Sequence, residues 1–276
     1  DRVEEMWSSE YWRRWYERLS EHALPLMRVN SDQVEVGATP VKTPEGWLLL
    51  YSHIQNYGSP ASFFGVEAAL LDLEDPRRIV SRTREPLLHP TEPYELFGTV
   101  PKVTFPSSLL VEGAIARFYY GAADTVCAVA ECKIGDLIDI SRKGSGQIPT
   151  LTKYHGNPIL APIWEHDWER NCVFNPGVIR IDDKTHILYR AQGPSWQSTL
   201  GYAVTADGFH ILSRAAKPAY IPRADFEKSK TGSGYSGCED PRLTIIYEHV
   251  YMLYTAYDGT NPPRVAFTSI SVKDFL

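Results

Sequence analysis

A pattern of fixed period recurs four times along this chain. A strand-like segment carrying a proline is followed, 11 to 14 residues later, by a tyrosine that closes a second apolar run. The proline segments are Gly37-Ala38-Thr39-Pro40, Val103-Thr104-Phe105-Pro106, Val173-Phe174-Asn175-Pro176 and Cys238-Glu239-Asp240-Pro241. The second runs are Trp47 to Tyr51, Phe118 to Tyr120, His186 to Tyr189 and Val250 to Tyr254, so the closing tyrosines lie 69, 69 and 65 residues apart. A third apolar strand follows in each unit: Glu67 to Leu73, Val126 to Ile134, Leu200 to Thr205 and Arg264 to Ser271. A period of this length with strand signals throughout means repeated β units, and units arranged radially around a channel are propeller blades. The near-uniformly apolar Trp47 to Leu50 suits a strand sandwiched between neighbouring blades. A β-sandwich is the rival, but it does not generate a period near 65 to 70.

The reading is therefore an all-β protein, with a β-propeller domain over residues 34–276 and a helical segment over 1–33. Within that segment Trp12, Trp15, Tyr16 and Leu19 fall at helical spacing, which predicts an amphipathic helix from Ser8 to Leu26 docked on the propeller. Gly/Pro-rich connections such as Glu85 to Pro93 and Lys143 to Pro149 separate the units.

Composition excludes several functions. The net charge of −6 gives no basic stripe for nucleic acid, and no apolar run approaches the roughly 18 residues of a membrane span. No signal-peptide pattern is recognisable. Four cysteines without CxxC spacing read as buried thiols in a reducing compartment, so a cytoplasmic location is expected. The eight histidines show no ligand-like spacing, and no metal is expected.

In a propeller the inner strands surround the axis, so the polar residues beside each proline converge although they are far apart in sequence. Glu239-Asp240-Pro241-Arg242 is the sharpest of these signals. Strand alternation predicts one carboxylate facing the channel and its neighbour facing away, with Arg242 on the face of Asp240. Asn175 occupies the equivalent place one unit earlier, and Arg190 follows the repeat tyrosine Tyr189. Asp124 and Asp258 stand at matching places after Tyr120 and Tyr254, with Tyr257 beside the latter. Acids, an asparagine, an arginine and aromatic rings suit a carbohydrate pocket: acids accept sugar hydroxyls, amide and guanidinium groups fix orientation, and rings stack on the pyranose.

These residues carry a resemblance. Phe174-Asn175-Pro176-Gly177, Leu188-Tyr189-Arg190-Ala191, Gly237-Cys238-Glu239-Asp240-Pro241-Arg242 and Tyr254-Thr255-Ala256-Tyr257-Asp258 resemble the leading motifs of glycoside hydrolase family 130. Gly46 to Tyr51, Leu70 to Pro76 and Tyr119 to Asp124 resemble its trailing motifs. The resemblance covers nearly all of Val34 to Leu276 and implies a five-bladed propeller acting on β-mannosides, either as a phosphorylase or as a mannosidase. It implies Asp240 as general acid, supported by Arg242. Asn175, Arg190 and Asp124 would hold the mannosyl unit, with Glu239, Tyr257 and Asp258 lining the sugar site. Lys42, His53 and Arg190 would be the phosphate ligands. In a phosphorylase, inorganic phosphate is the co-substrate, the product is α-mannose 1-phosphate, and no other cofactor is required. An inverting hydrolase needs a second carboxylate instead, for which Asp124, Asp258 and Glu239 are candidates. A non-catalytic sugar-binding propeller is the third reading, and the partner in every case is a mannose-containing oligosaccharide. Homo-oligomerisation is left open.

Two departures accompany the resemblance. The motif order is rotated, with the family's trailing motifs first. Only four units are visible, and the family's Phe-Pro-Glu-Lys-like strand and His-Arg pair are not found. The family's Tyr-His-Gly also reads Tyr51-Ser52-His53 here.

Overall fold

A computed structural model describes residues 24–29, 31–143, 151–232 and 234–276. The predicted helix from Ser8 falls almost wholly outside these residues, and so does most of the Lys143–Pro149 connection. Among the described residues sixteen strands build four antiparallel units, the third and fourth joined by a short parallel pairing of their strands at Gln197–Ser198 and Ser236–Gly237. The first is β1 (Gln33–Val36) and β2 (Val41–Thr43), both paired with β3 (Gly46–Gln55), followed by β4 (Phe63–Leu71) and β5 (Ile79–Arg82). The second is β6 (Thr104–Glu112), β7 (Ile115–Ala122), β8 (Val126–Lys133) and β9 (Thr152–Lys153). The third is β10 (Cys172–Ile181), β11 (Lys184–Gln192), β12 (Gln197–Thr205) and β13 (Ile211–Arg214). The fourth is β14 (Ser236–Ile246), β15 (His249–Tyr257) and β16 (Arg264–Ser271).

Short helices sit between or after these sheets: α1 (Pro93–Leu96), α2 (Ile134–Lys143) and α3 (Val272–Phe275). The third apolar strands therefore fall where the repeat predicts them. The proline segment Gly37–Pro40 does not form strand; it is the break that divides the first blade's inner strand into β1 and β2.

Each pair of successive blades buries an apolar layer. Leu48, Leu50 and Ala68 of the first blade meet Leu109, Ala116 and Phe118 of the second. Val129 and Cys127 meet Val173, Ile187 and Ala203, and Ile179, Leu188 and Leu200 meet Leu243, Val250 and Met252. The middle strands are apolar on both faces for this reason. All four cysteines are free and buried, and Cys127, Cys132 and Cys238 lie in these layers. The inner strand β10 packs against both β6 and β14, which brings the proline segments of the second, third and fourth blades together.

The ends of the array differ. The outer face of the first blade is covered, with Leu26 joining Leu49, Tyr51, Ala69 and Leu71 in one cluster. The outer face of the fourth blade leaves Leu253, Val265 and Phe267 exposed.

The repeat tyrosines share one role. Each is buried, and a buried phenol needs a hydrogen-bond partner. Tyr120 donates to Glu95 at 2.8 Å, Tyr189 to Glu169 at 2.8 Å, and Tyr254 to Glu227. Each of these glutamates lies in the connection that precedes its blade. In the first blade Tyr51 donates instead to Glu67 of β4 at 2.5 Å, and Arg28 stands in the preceding connection, 2.9 Å from Glu67. In the second and third blades the base, Lys153 or Arg214, stands on the outermost strand 2.6 Å from its glutamate, so acid and base have exchanged places in the first.

Candidate active site

The site grows out of two bulges. Pairing between β10 and β11 slips between Phe174 and Gly177, and pairing between β14 and β15 slips between Glu239 and Arg242. A bulge suits an X-Pro step, since the proline has no N–H to give the ladder. The residue before each proline adopts the left-handed conformation: φ is 49° at Asn175 and 53° at Asp240. Asn and Asp are the side-chain-bearing types that tolerate this region best. Asp124 is left-handed as well, at φ 47°, in the turn after β7.

The bulge overturns the alternation expected for Glu239 and Asp240. In a regular strand their side chains would point to opposite faces. With Asp240 at positive φ, both carboxylates reach one guanidinium. Arg190 Nη2 lies 2.6 Å from Glu239 Oε1, and Arg190 Nη1 lies 3.3 Å from Asp240 Oδ1. Asn175 Nδ2 donates to the same Asp240 oxygen at 2.9 Å. Ser198 Oγ bridges the back of the cluster: it accepts from Arg190 Nε at 3.0 Å and donates to Glu239 at 3.1 Å. The Arg190 guanidinium also stacks over the Phe174 ring at 4.8 Å. Gly121 makes room for this arrangement, because a Cβ there would lie 2.1 Å from Asn175 Oδ1.

Acid outnumbers base in this cluster. Burial pushes the Asp124 carboxyl up to about 7; Arg190 opposes that rise, while Asp240, Glu35 and Glu239 add to it. Burial also raises Glu239, with Arg190 opposing and Asp240 reinforcing. Asn175, Arg190, Glu239, Asp240 and Asp124, predicted to converge from three blades, therefore do so.

The other expected site residues lie differently. Arg242 does not hold the Asp240 carboxylate. Its guanidinium donates to three backbone carbonyls, Gly37 at 2.6 Å, Asp240 at 3.1 Å and Pro241 at 3.2 Å, and it lies 5.6 Å from the Phe105 ring. It fixes the bulge rather than the charge. Asp258 anchors a loop: it accepts from the backbone N–H groups of Thr260 and Asn261, and Lys230 Nζ is 3.2 Å away. Those hydrogen bonds, led by Asn261, hold its carboxyl well below the usual range. Tyr257 ends β15 opposite Gly237 and is half-buried. His53 is buried, with Nδ1 2.7 Å from Ser31 Oγ and 3.9 Å from Glu67, and burial lowers its pKa. Lys42 lies on the exposed edge of β2, its ammonium 5.5 Å from the Trp47 ring. Among the described residues no group of three or more His, Cys, Asp or Glu is placed to hold a metal ion.

A cavity of about 460 Å³ opens between the first and fourth blades. Asp240, Arg242 and Phe105 line it, and so does Glu35 on β1, which was not singled out from sequence. The signal that finds Glu35 is register. The residue after each repeat tyrosine pairs with an inner-strand residue, and those partners are Glu35, Phe105, Phe174 and Glu239. Glu35 is thus the first blade's counterpart of Glu239.

An array of antiparallel β blades, with an arginine held between the carboxylates of Glu239 and Asp240 beside the cavity that Asp240 lines, defines a propeller-type protein with its candidate site on the inner strands. Solved structures agree on the fold. Fructan 1-exohydrolase IIa from Cichorium intybus superposes with a TM-score of 0.61 at 13% identity, over 90% of this chain and 44% of that one. A thermostable family-43 glycoside hydrolase gives 0.54 at 13% identity, over 83% and 69%.

The family follows from sequence. A family model described as beta-1,4-mannooligosaccharide phosphorylase matches residues 11–143 and 151–272, and the chain belongs to that family, glycoside hydrolase family 130. A beta-1,2-mannobiose phosphorylase of Thermoanaerobacter sp. is 37% identical over 122 residues, 40% of this chain and 38% of the relative. A beta-1,4-mannooligosaccharide phosphorylase of Ruminococcus albus is 33% identical over 123 residues, 44% and 36%. The matched stretches thus span less than two-fifths of either relative.

Proposed function

We propose that this protein cleaves β-mannosides with inversion at the anomeric carbon, with inorganic phosphate as the attacking group and Asp240 as the proton donor. The observation that supports it best is the convergence of Asn175, Arg190, Glu239 and Asp240 in one hydrogen-bonded cluster, whose Asp240 lines the cavity. Phosphate oxygen attacks C1 from the face opposite the leaving group, and the C1–O bond breaks. Asp240 supplies the proton that the leaving oxygen takes up, and α-mannose 1-phosphate results. Asn175 orients Asp240 through the 2.9 Å hydrogen bond. Arg190 is the cation at the cluster, and its longer contact, 3.3 Å to Asp240, is the one phosphate would replace. Lys42 and His53 would serve phosphate only after leaving Trp47 and Ser31 respectively. The likeness to mannobiose and mannooligosaccharide phosphorylases favours a short β-mannan as the sugar.

The test is incubation of the chain with β-1,2- and β-1,4-mannobiose, with and without phosphate, followed by product analysis. α-Mannose 1-phosphate should form only with phosphate. Asp240→Asn should lower its rate by about 10²–10⁴-fold, the usual worth of a general acid. An unchanged rate in that variant would remove Asp240 from the mechanism.

A further inference from the structure

The first and fourth blades both put a glutamate at the same register position, and the cavity lies between them. Glu239 pairs across its hairpin with Thr255, and Glu35 pairs with Ser52, each partner being the residue after the repeat tyrosine. The second and third blades put Phe105 and Phe174 at that position. Yet the two glutamates are not equally free. Glu239 is bound by Arg190 at 2.6 Å and by Ser198 at 3.1 Å. The hydrogen bond found for the Glu35 carboxylate comes from the neutral amide of Gln33. Glu35 therefore keeps its capacity to accept a proton, while Glu239 is occupied in holding Arg190.

The cations around the cavity bear on which nucleophile it can hold. Arg242 lines it, but three backbone carbonyls take up its guanidinium. Neither Lys42 nor His53 lines it, and Arg190 reaches it only through its contact with Asp240. Glu35 and Asp240 line it. Phosphate entering there meets two carboxylates, and like charges brought together in a partly desolvated cavity repel strongly. Water meets no such barrier, and one of the two carboxylates is available as a base. Carboxylates on two different elements flanking a cavity are what an inverting glycosidase uses, at a separation of about 6.5–9.5 Å that admits one water.

We infer that Glu35 is a catalytic base that activates water at this cavity, giving the site a hydrolytic activity beside phosphorolysis. The inference rests on the proposed mannoside cleavage with Asp240 as proton donor. In the step, water oxygen bonds to C1 and the bond from C1 to the leaving oxygen breaks. The water's proton passes to Glu35, Asp240's proton passes to the leaving oxygen, and free α-mannose is the first-formed product. Burial and the nearby Asp240 both raise the Glu35 pKa, which strengthens it as a base near neutral pH.

The experiment follows both products from β-mannobiose by proton NMR, which separates α-mannose from α-mannose 1-phosphate. It compares the unaltered chain, Glu35→Gln and Asp240→Asn, each with and without phosphate. The expected result is α-mannose without phosphate from the unaltered chain. Glu35→Gln should lower that hydrolysis by about 10²-fold or more. Added azide should restore turnover in Glu35→Gln as α-mannosyl azide, a rescue that a merely structural role would not show. Hydrolysis within about threefold of the unaltered chain in Glu35→Gln would overturn the assignment. So would release of α-mannose 1-phosphate alone by the unaltered chain, which leaves the phosphorolytic reading standing. Absence of both products from the unaltered chain would overturn both readings together.

Discussion

The third blade carries two arginine–carboxylate clusters built from the same residue types, and only one of them has the features of a site. Arg214 on β13 is 2.6 Å from Glu169, accepts no second carboxylate, and donates to the Tyr189 hydroxyl at 2.9 Å and the Ala161 carbonyl at 2.8 Å. Arg190 on β11 answers to Glu239 and Asp240 together, with the charge of Asp124 close by. The first cluster has a single acid, the fully buried Glu169, held by Arg214 on one oxygen and by His166 Nδ1 at 2.6 Å on the other. The second has a surplus of acid and opens on a cavity. An ion pair with matched charges locks a blade. A cluster with unmatched acid must share protons, and sharing protons is what acid–base chemistry requires.

The sharpest way to break this contrast is to remove each arginine in turn. Arg190→Met should reduce mannoside cleavage by about 10²–10³-fold, as loss of a charge-stabilising donor does, and cost less stability than loss of Arg214, because Glu239, already raised in pKa by burial, can take up a proton once its partner is gone. Arg214→Met should do the reverse. It takes the guanidinium from the buried Glu169 and leaves it His166 and Tyr189, which costs up to about 3–5 kcal/mol of stability, while the surviving folded protein keeps its kinetic constants. Calorimetry and steady-state kinetics on both variants would decide it. Equal effects of the two on stability would erase the distinction.

A smaller effect sharpens it. Asp124 holds its proton up to about pH 7 in the folded chain, well above the ordinary carboxylate value. The folded state therefore binds that proton more tightly than the unfolded state. The resulting stabilisation is complete below about pH 4 and is lost as the pH rises through about 7. Asp124→Asn should flatten this part of the stability profile and raise stability at pH 8 by on the order of 2 kcal/mol. A melting series from pH 4 to 8 on the two proteins measures it. In the other cluster, Tyr189→Phe removes a hydrogen bond to the Glu169 carboxylate and should lower stability on melting by about 1.5–3 kcal/mol.

How far the sequence reaches is clear from particular residues. The four units were legible because middle strands buried on both faces must be apolar, and the repeat tyrosines mark them. Asn175, Arg190, Asp240 and Asp124 were legible because the repeat aligns them. The shared engagement of Arg190 by Glu239 and Asp240 was not, since alternation predicts opposite faces and only the bulge at Asp240 reverses that. Glu35 was missed because the inner strand of its blade breaks at Gly37–Pro40, which hides its equivalence to Glu239. The glutamates under the repeat tyrosines were missed as well. Glu95, Glu169 and Glu227 lie in connections that read as loops, although four buried phenols at a fixed period call for four partners. Asp258 illustrates the converse: its place in the repeat matches Asp124, but Asn261 and Lys230 capture it locally.

The contact between Arg242 and the Gly37 carbonyl joins residues 205 positions apart, and it ties the fourth blade to the first. Closing a flexible loop of that length costs roughly 5 kcal/mol of chain entropy, whereas one charge-assisted hydrogen bond returns about 1.5–3 kcal/mol. That bond could not draw the ends of a slack chain together. The three apolar layers between successive blades do so beforehand, by stacking the sheets into a stiff curved row whose ends already lie side by side. The arginine acts as a clasp on a bracelet already bent to shape, and it sets how wide the gap stands in which the sugar would lie.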